Sequence, residues 1–231
     1  MSSYATPSRL AQAEAVGRVL VVAMNEVEFV AFSQKSAIGT RDLAGCSVVV
    51  IASAYGAILA HIPPRPIPNT LDPYAGDQNV QRLMERVESL YTQKRNYFPD
   101  ADTYAVFAIY NGGVALPDQK KVIVDKITQM GLQPFHNVLY VTPRDPTNQA
   151  HGTVFVDSLN RAGQKPVVYS EDRQVSSEQL DHQSQQSQQN QQTPPTQQTP
   201  STWTWSSDHR RYYRWIVKDG VQQIDWAPPS Q

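Results

Sequence analysis

The sequence predicts an α+β fold, a layered domain of mixed strands with two main helices, and three observations carry that reading. The first is order. Residues 16–173 alternate between strand-like runs and two stretches of helical periodicity, in the sequence strands, helix, strand, helix, strands. The second is a hairpin signature, two β-rich runs at Ser47–Ala52 and Ala57–Ile62 joined by a four-residue turn. The third is a break in composition. Residues 174–202 hold 11 of the 24 glutamines and almost no large apolar side chain, so regular packing should stop there. The chain thus divides into a polar, loosely ordered lead-in at 1–15, a folded domain at 16–173, a Gln-rich disordered linker at 174–202 and an aromatic-rich segment at 203–231.

Taken in order, Arg18–Ala31 is rich in β-formers and reads as a strand or a hairpin broken near Asn25. The two strands of the 47–62 hairpin follow, with Ser53-Ala54-Tyr55-Gly56 as the turn. Pro63, Pro64, Pro66, Pro68 and Pro73 force residues 63–78 into a loop. Gln78–Arg95 is the clearest helix, because Val80, Leu83, Met84, Val87, Leu90 and Tyr91 recur at helical spacing. Thr103–Tyr110 reads as a strand ending in Asn111-Gly112-Gly113. Asp118–Met130 is a second helix, opened by Pro117 and closed by Gly131. Short strands are expected at Asn137–Thr142, Thr153–Asp157 and Pro166–Ser170.

Composition removes several function classes. Charged residues make up 18% of the chain and the formal net charge is −1, which argues against a nucleic-acid binder driven by bulk charge. No apolar run is long enough for a membrane helix, and the first residues lack a basic start followed by an apolar core. One cysteine, Cys46, rules out an internal disulfide or a multi-cysteine metal site. A lone thiol suits a reducing compartment, so the expected location is intracellular, in the cytoplasm with the nucleus left open. His136, His151, His182 and His209 show no metal-ligand spacing, and no metal or organic cofactor is expected.

The hairpin brings chemistry together. If Ala52 opposes Ala57, stepping outwards sets Val48 opposite His61, two positions from Cys46. An offset of two keeps the Cys46 and His61 side chains on one sheet face. A histidine that takes a thiol proton generates a nucleophile able to attack a carbonyl. The competing reading is a buried structural cysteine beside an ordinary histidine.

Thr40-Arg41-Asp42-Leu43-Ala44-Gly45-Cys46 followed by Ala60-His61-Ile62-Pro63 resembles CheD, the chemoreceptor glutamine deamidase family. The resemblance continues in order through the helix at 78–95, Val106–Val114 with its Gly-Gly loop, the helix at 118–132 and His151-Gly152-Thr153-Val154-Phe155-Val156-Asp157. Gly45-Cys46-Ser47 stands where the family usually has Gly-Ser-Cys. The resemblance implies an α/β/α sandwich with mixed sheets. It also implies hydrolysis of a protein glutamine side-chain amide by Cys46 as nucleophile and His61 as base, with Thr40 as an orienting or polarising third member. Backbone N–H groups around Gly45 and Ser47 would stabilise the oxyanion, and Gly112 and Gly113 would let a loop approach the substrate. A second reading keeps the fold as a non-catalytic binding or adaptor protein.

The Gln-rich tract and the aromatic tail have no counterpart in a compact chemotaxis enzyme and point to a eukaryotic, fungal chain. Trp205 and Trp226 with Tyr212-Tyr213 between them faintly resemble a WW domain, but the tyrosine spacing does not match and one strand is missing from the pattern. A β-hairpin of Arg211–Lys218 and Gln222–Trp226 about Asp219-Gly220 fits better. An isolated hairpin is marginal in water, so the expected partner of this tail is a protein or peptide surface. Arginines beside the aromatics would also permit RNA stacking, against which the tail's small net charge argues. The expected partners are therefore a protein substrate with an accessible glutamine and a docking partner for the tail, with no membrane.

Overall fold

The computed structural model of the chain describes residues 6–67, 71–175, 204–206, 211–218 and 221–226. It divides into two compact units, Met1–His182 and Gln183–Gln231. The linker expected at 174–202 lies, from residue 176 onwards, outside the described residues.

The first unit is α+β, as expected. Its strands are β1 (Val19–Val21), β2 (Val27–Ala31), β3 (Ala37–Thr40), β4 (Ser47–Ala52), β5 (Gly56–Ile62), β6 (Asp102–Tyr110), β7 (Gly113–Val114), β8 (Phe135–Val141), β9 (Val154–Asp157), β10 (Val167–Ser170) and β11 (Arg173–Gln174). Its helices are α1 (Arg9–Ala15), α2 (Ala75–Gln93) and α3 (Pro117–Gln129). They build two sheets. A six-stranded sheet runs β2-β5-β4-β6-β7, with β8 joined parallel to β6, and a five-stranded sheet runs β1-β3-β9-β10-β11.

Alternation along the strands sorts the core into layers. In the six-stranded sheet, Val49, Ile51, Ile58, Ala60, Ala105 and Phe107 face Leu83, Met84 and Val87 of α2 and Ile123 and Ile127 of α3. The intervening residues Val48, Val50, Leu59, Val106, Val138 and Tyr140 face Ile38, Val154, Val156 and Val168 of the five-stranded sheet. Leu10 and Ala13 of α1 cover that second sheet's outer face against Val19, Ala37 and Phe155. The layers are therefore helix, sheet, sheet, helix pair, with two sheets between the helices where a single central layer could have been read.

Several expectations need correction. The lead-in assigned to 1–15 contains α1, capped by the Ser8 hydroxyl, which accepts from the Ala11 N–H at 3.2 Å. A helix this short has a weak periodic signal, and it is the burial of Leu10 and Ala13 that stabilises it. The run 18–31 is not a hairpin. Asn25 turns the chain with φ 69°, and β1 and β2 enter different sheets. The helix expected at Gln78–Arg95 begins earlier, at Ala75, inside the stretch expected to be loop, and β3 was not expected at all. The β4–β5 register sets Ala52 against Ala57 and Val48 against His61, as the turn length predicts.

The second unit contains β12 (Thr204–Ser206), β13 (Arg211–Lys218) and β14 (Val221–Trp226) in one antiparallel sheet, with Trp205 paired to Tyr212 and Tyr213 to Trp226. The expected hairpin is present as β13 and β14, and β12 adds a strand that the sequence reading omits. The turn residues Asp219 and Gly220 lie outside the described residues.

Candidate functional site: a buried threonine, histidine and cysteine

Three sequence-predicted residues line one end of the layer between the sheets, and two of them, Thr40 and His61, are in contact. β3 ends at Thr40 in the five-stranded sheet, and β4 begins at Ser47 in the six-stranded sheet. Residues 41–46 are thus the crossover between two sheets, which in face-to-face packing lie about 10 Å apart. The crossover turns at Asp42, with φ 65°, and at Gly45, with φ 108°, a conformation that side-chain-bearing residues rarely adopt. Leu43 anchors it in the inter-sheet core, and its N–H donates to the Gly152 carbonyl at 3.0 Å. Gly152 passes so close that a Cβ there would sit 2.6 Å from the Leu43 carbonyl oxygen.

The His61 ring lies on the inter-sheet face of β5, in alternation with Ala57 and Leu59. Its Nδ1 is 2.7 Å from Thr40 Oγ1, and Thr40 Oγ1 donates to the Val22 carbonyl at 2.8 Å. A hydroxyl has one hydrogen to give. With that hydrogen committed to Val22, Thr40 accepts from His61 Nδ1–H, which leaves Nε2 as the bare proton acceptor. His61 Nε2 is buried and makes no hydrogen bond. Cys46 shares this sheet face, in alternation with Val48 and Val50, so the same-face expectation holds. The thiol and Nε2 are not hydrogen-bonded in this state.

All three side chains are enclosed, with Thr40 0%, His61 1% and Cys46 4% exposed. Burial pulls His61 down to about 4, against a smaller opposing effect from the Asp42 carboxylate. Asp42 is itself paired with Arg144 at 2.7 Å. Burial also pushes the Cys46 thiol up, opposed by the N–H groups of Ala44 and of Cys46 itself. Both shifts favour the uncharged forms, a neutral thiol and a neutral imidazole.

The remaining candidates are less well placed. Gly45 is at the site, but its N–H donates to Tyr140 Oη at 2.9 Å and is not free for a substrate. The Ser47 side chain belongs by alternation to the helix-facing side of β4, opposite Cys46. Gly112 and Gly113 form the exposed β6–β7 turn with open space around them, so their positions follow from the turn itself. Sequence reasoning missed Tyr140, whose hydroxyl donates to the Cys46 carbonyl at 2.8 Å across 94 residues of chain. It also missed the Asp42–Arg144 pair, which with Arg41, Gln149 and His151 lines a cavity of about 260 Å³ beside the crossover.

Among the described residues no group of three or more His, Cys, Asp or Glu side chains could hold a metal ion. His136 stacks on Tyr104 at 4.7 Å, and His151 Nδ1 accepts from the Asp145 N–H, whereas His182 and His209 lie outside the described residues. No helix among the described residues is long and apolar enough to cross a membrane. No protein-family model matches this chain, and no curated protein matches it.

Proposed function

We propose that the chain is a cysteine-dependent hydrolase acting on the side-chain amide of a protein glutamine, as its resemblance to the CheD deamidases implies. One observation carries the reading. A buried histidine is held by Thr40 in the tautomer that leaves Nε2 bare, on the sheet face it shares with the only cysteine. A buried polar atom without a partner costs free energy, commonly about 1–3 kcal/mol, and such an atom on the face that carries the thiol is available for general-base chemistry.

In this reading Nε2 removes the Cys46 thiol proton as the sulfur bonds to the amide carbon, and the carbonyl oxygen takes up the negative charge. The backbone N–H groups of Ala44 and Cys46, which favour charge on the sulfur, are the candidate donors to that oxygen. The tetrahedral intermediate collapses as imidazolium returns the proton to the departing nitrogen, breaking the C–N bond and releasing ammonia. Imidazole then deprotonates water, which attacks the thioester and leaves glutamate and the thiol. Thr40 fixes the tautomer throughout. With the thiol enclosed at rest, a substrate reaches it only after local opening of the crossover.

That enclosure, together with the raised thiol, favours a second reading: a non-catalytic adaptor that keeps the fold and docks through its aromatic tail. Alkylation by iodoacetamide separates the two. The expected result is that wild type reacts at least about tenfold faster than His61→Ala near pH 6–7, since a positioned base contributes ~10²–10⁴-fold where proton transfer limits. Equal rates for both from about pH 5 to 8, around the free-histidine pKa, would leave the adaptor reading as the account of this protein.

A further inference from the structure

Tyr140 lies on β8, outside every sequence motif used above. β4 and β8 flank β6, and Val48, Val106 and Val138 are partners in one row across the three strands. Two residues further toward the sheet end, Tyr140 is the partner of Ala108, and continuing the β4–β6 register brings Cys46 to the far side of Ala108. A methyl side chain in the middle of this row lets a tyrosine ring reach over β6. The hydroxyl does so, donating to the Cys46 carbonyl at 2.8 Å and accepting the Gly45 N–H at 2.9 Å. Tyr140 is 2% exposed, so water does not compete for these bonds.

We propose that Tyr140 is a positioning residue for the Cys46 thiol, holding the Gly45 N–H and the Cys46 carbonyl, one on each side of the Gly45–Cys46 peptide, and so fixing the backbone from which the sulfur projects. The proposal rests on the cysteine-nucleophile reading and adds to it a division of labour. The Gly45 amide is a structural donor spent on Tyr140, so it holds the turn and does not serve developing charge. Burial pushes the Tyr140 hydroxyl up, so it remains a donor throughout the useful pH range.

The titratable and charged groups of this region are His61 from β5 with Asp42, itself paired to Arg144, and Tyr140 from β8 with Glu171, whose carboxylate accepts the Gly152 N–H at 3.0 Å. The test is the pH dependence of iodoacetamide alkylation in the full chain, for wild type and Tyr140→Phe. Loss of the hydroxyl should move the alkylation midpoint to higher pH by about one unit, since the Ala44 and Cys46 amides then favour the thiolate less. A looser turn should raise the high-pH plateau, which reports access and not ionisation. A Tyr140→Phe profile with the wild-type midpoint, whatever its plateau, would overturn the proposal, because a merely structural tyrosine changes stability or access alone. Wild-type amide exchange supplies a second measurement that needs no variant: the Gly45 N–H should be protected although it lies in a loop, and exchange at a free-loop rate would equally overturn it. Neither readout uses His61 or deamidation, so a failure of the hydrolase reading in the His61→Ala comparison remains distinguishable from a failure of this one.

Discussion

The two faces of the six-stranded sheet were built from the same strands by simple alternation, yet they differ in content. The face toward α2 and α3 is filled by Val, Ile, Ala and Phe of the strands against Leu, Met, Val and Ile of the helices. The face toward the other sheet is also largely aliphatic, but at one end it carries Cys46, with the buried, hydrogen-bonded polar pair Thr40 and His61. A helix covering a sheet presents long side chains that fill space and offer few polar partners. A second sheet brings backbone carbonyls such as that of Val22 close to the interlayer end, where they can satisfy a buried hydroxyl. The helix-facing layer is thus the stabilising layer, and the inter-sheet layer is where a polar site can be housed.

The largest expected effect tests the stabilising layer. Leu83→Ala, in the fully buried face of α2, should cost about 2–5 kcal/mol in urea unfolding. It should leave the pH midpoint of Cys46 alkylation in place. A shifted midpoint would mean that the two faces are coupled.

The next effect belongs to the inter-sheet layer. His61 has its folded value lowered to about 4 from 6.5, so the unfolded chain binds a proton that the folded chain refuses. Stability is therefore unaffected by this group above about pH 6.5 and is lost as pH falls toward 4, by about 3 kcal/mol at the lower end. Urea unfolding at a series of pH values should show that His61→Gln lacks this acid-side loss.

Thr40→Val should cost about 1–3 kcal/mol, since it strips partners from the buried Val22 carbonyl and the His61 Nδ1–H. It should also slow alkylation near neutral pH, whereas Thr40→Ser should retain most of the rate. Equal rates for both would show that the hydroxyl does not act through the imidazole.

The smallest effect lies outside both layers. Arg86 reaches Glu26 at 2.8 Å on the surface, and Arg86→Ala should change stability by less than about 1 kcal/mol and leave the thiol untouched.

Much of this architecture was legible in the chain. The register of β4 and β5 follows from a four-residue turn, and side-chain alternation then puts Cys46 and His61 on one face. The α2 and α3 helices follow from long apolar periodicity, although α2 begins at Ala75, earlier than the proline-rich loop suggests. β3 was not legible, because Ala37-Ile38-Gly39-Thr40 is short and contains a glycine, and its partner β9 lies more than a hundred residues away.

What local sequence determines is what short range controls: turn length, strand parity, helix periodicity and hence the placing of a thiol and an imidazole on one sheet face. What only the tertiary structure decided is everything that depends on two sheets closing on one another. That closure brings the Val22 carbonyl to Thr40 and so selects the His61 tautomer. It encloses the thiol and favours the uncharged forms of thiol and imidazole. Within one of those sheets, the order of β4, β6 and β8 brings Tyr140 across Ala108 to a peptide 94 residues distant. Desolvation and long-range hydrogen bonding are properties of packed layers, and spacing along the chain does not encode them.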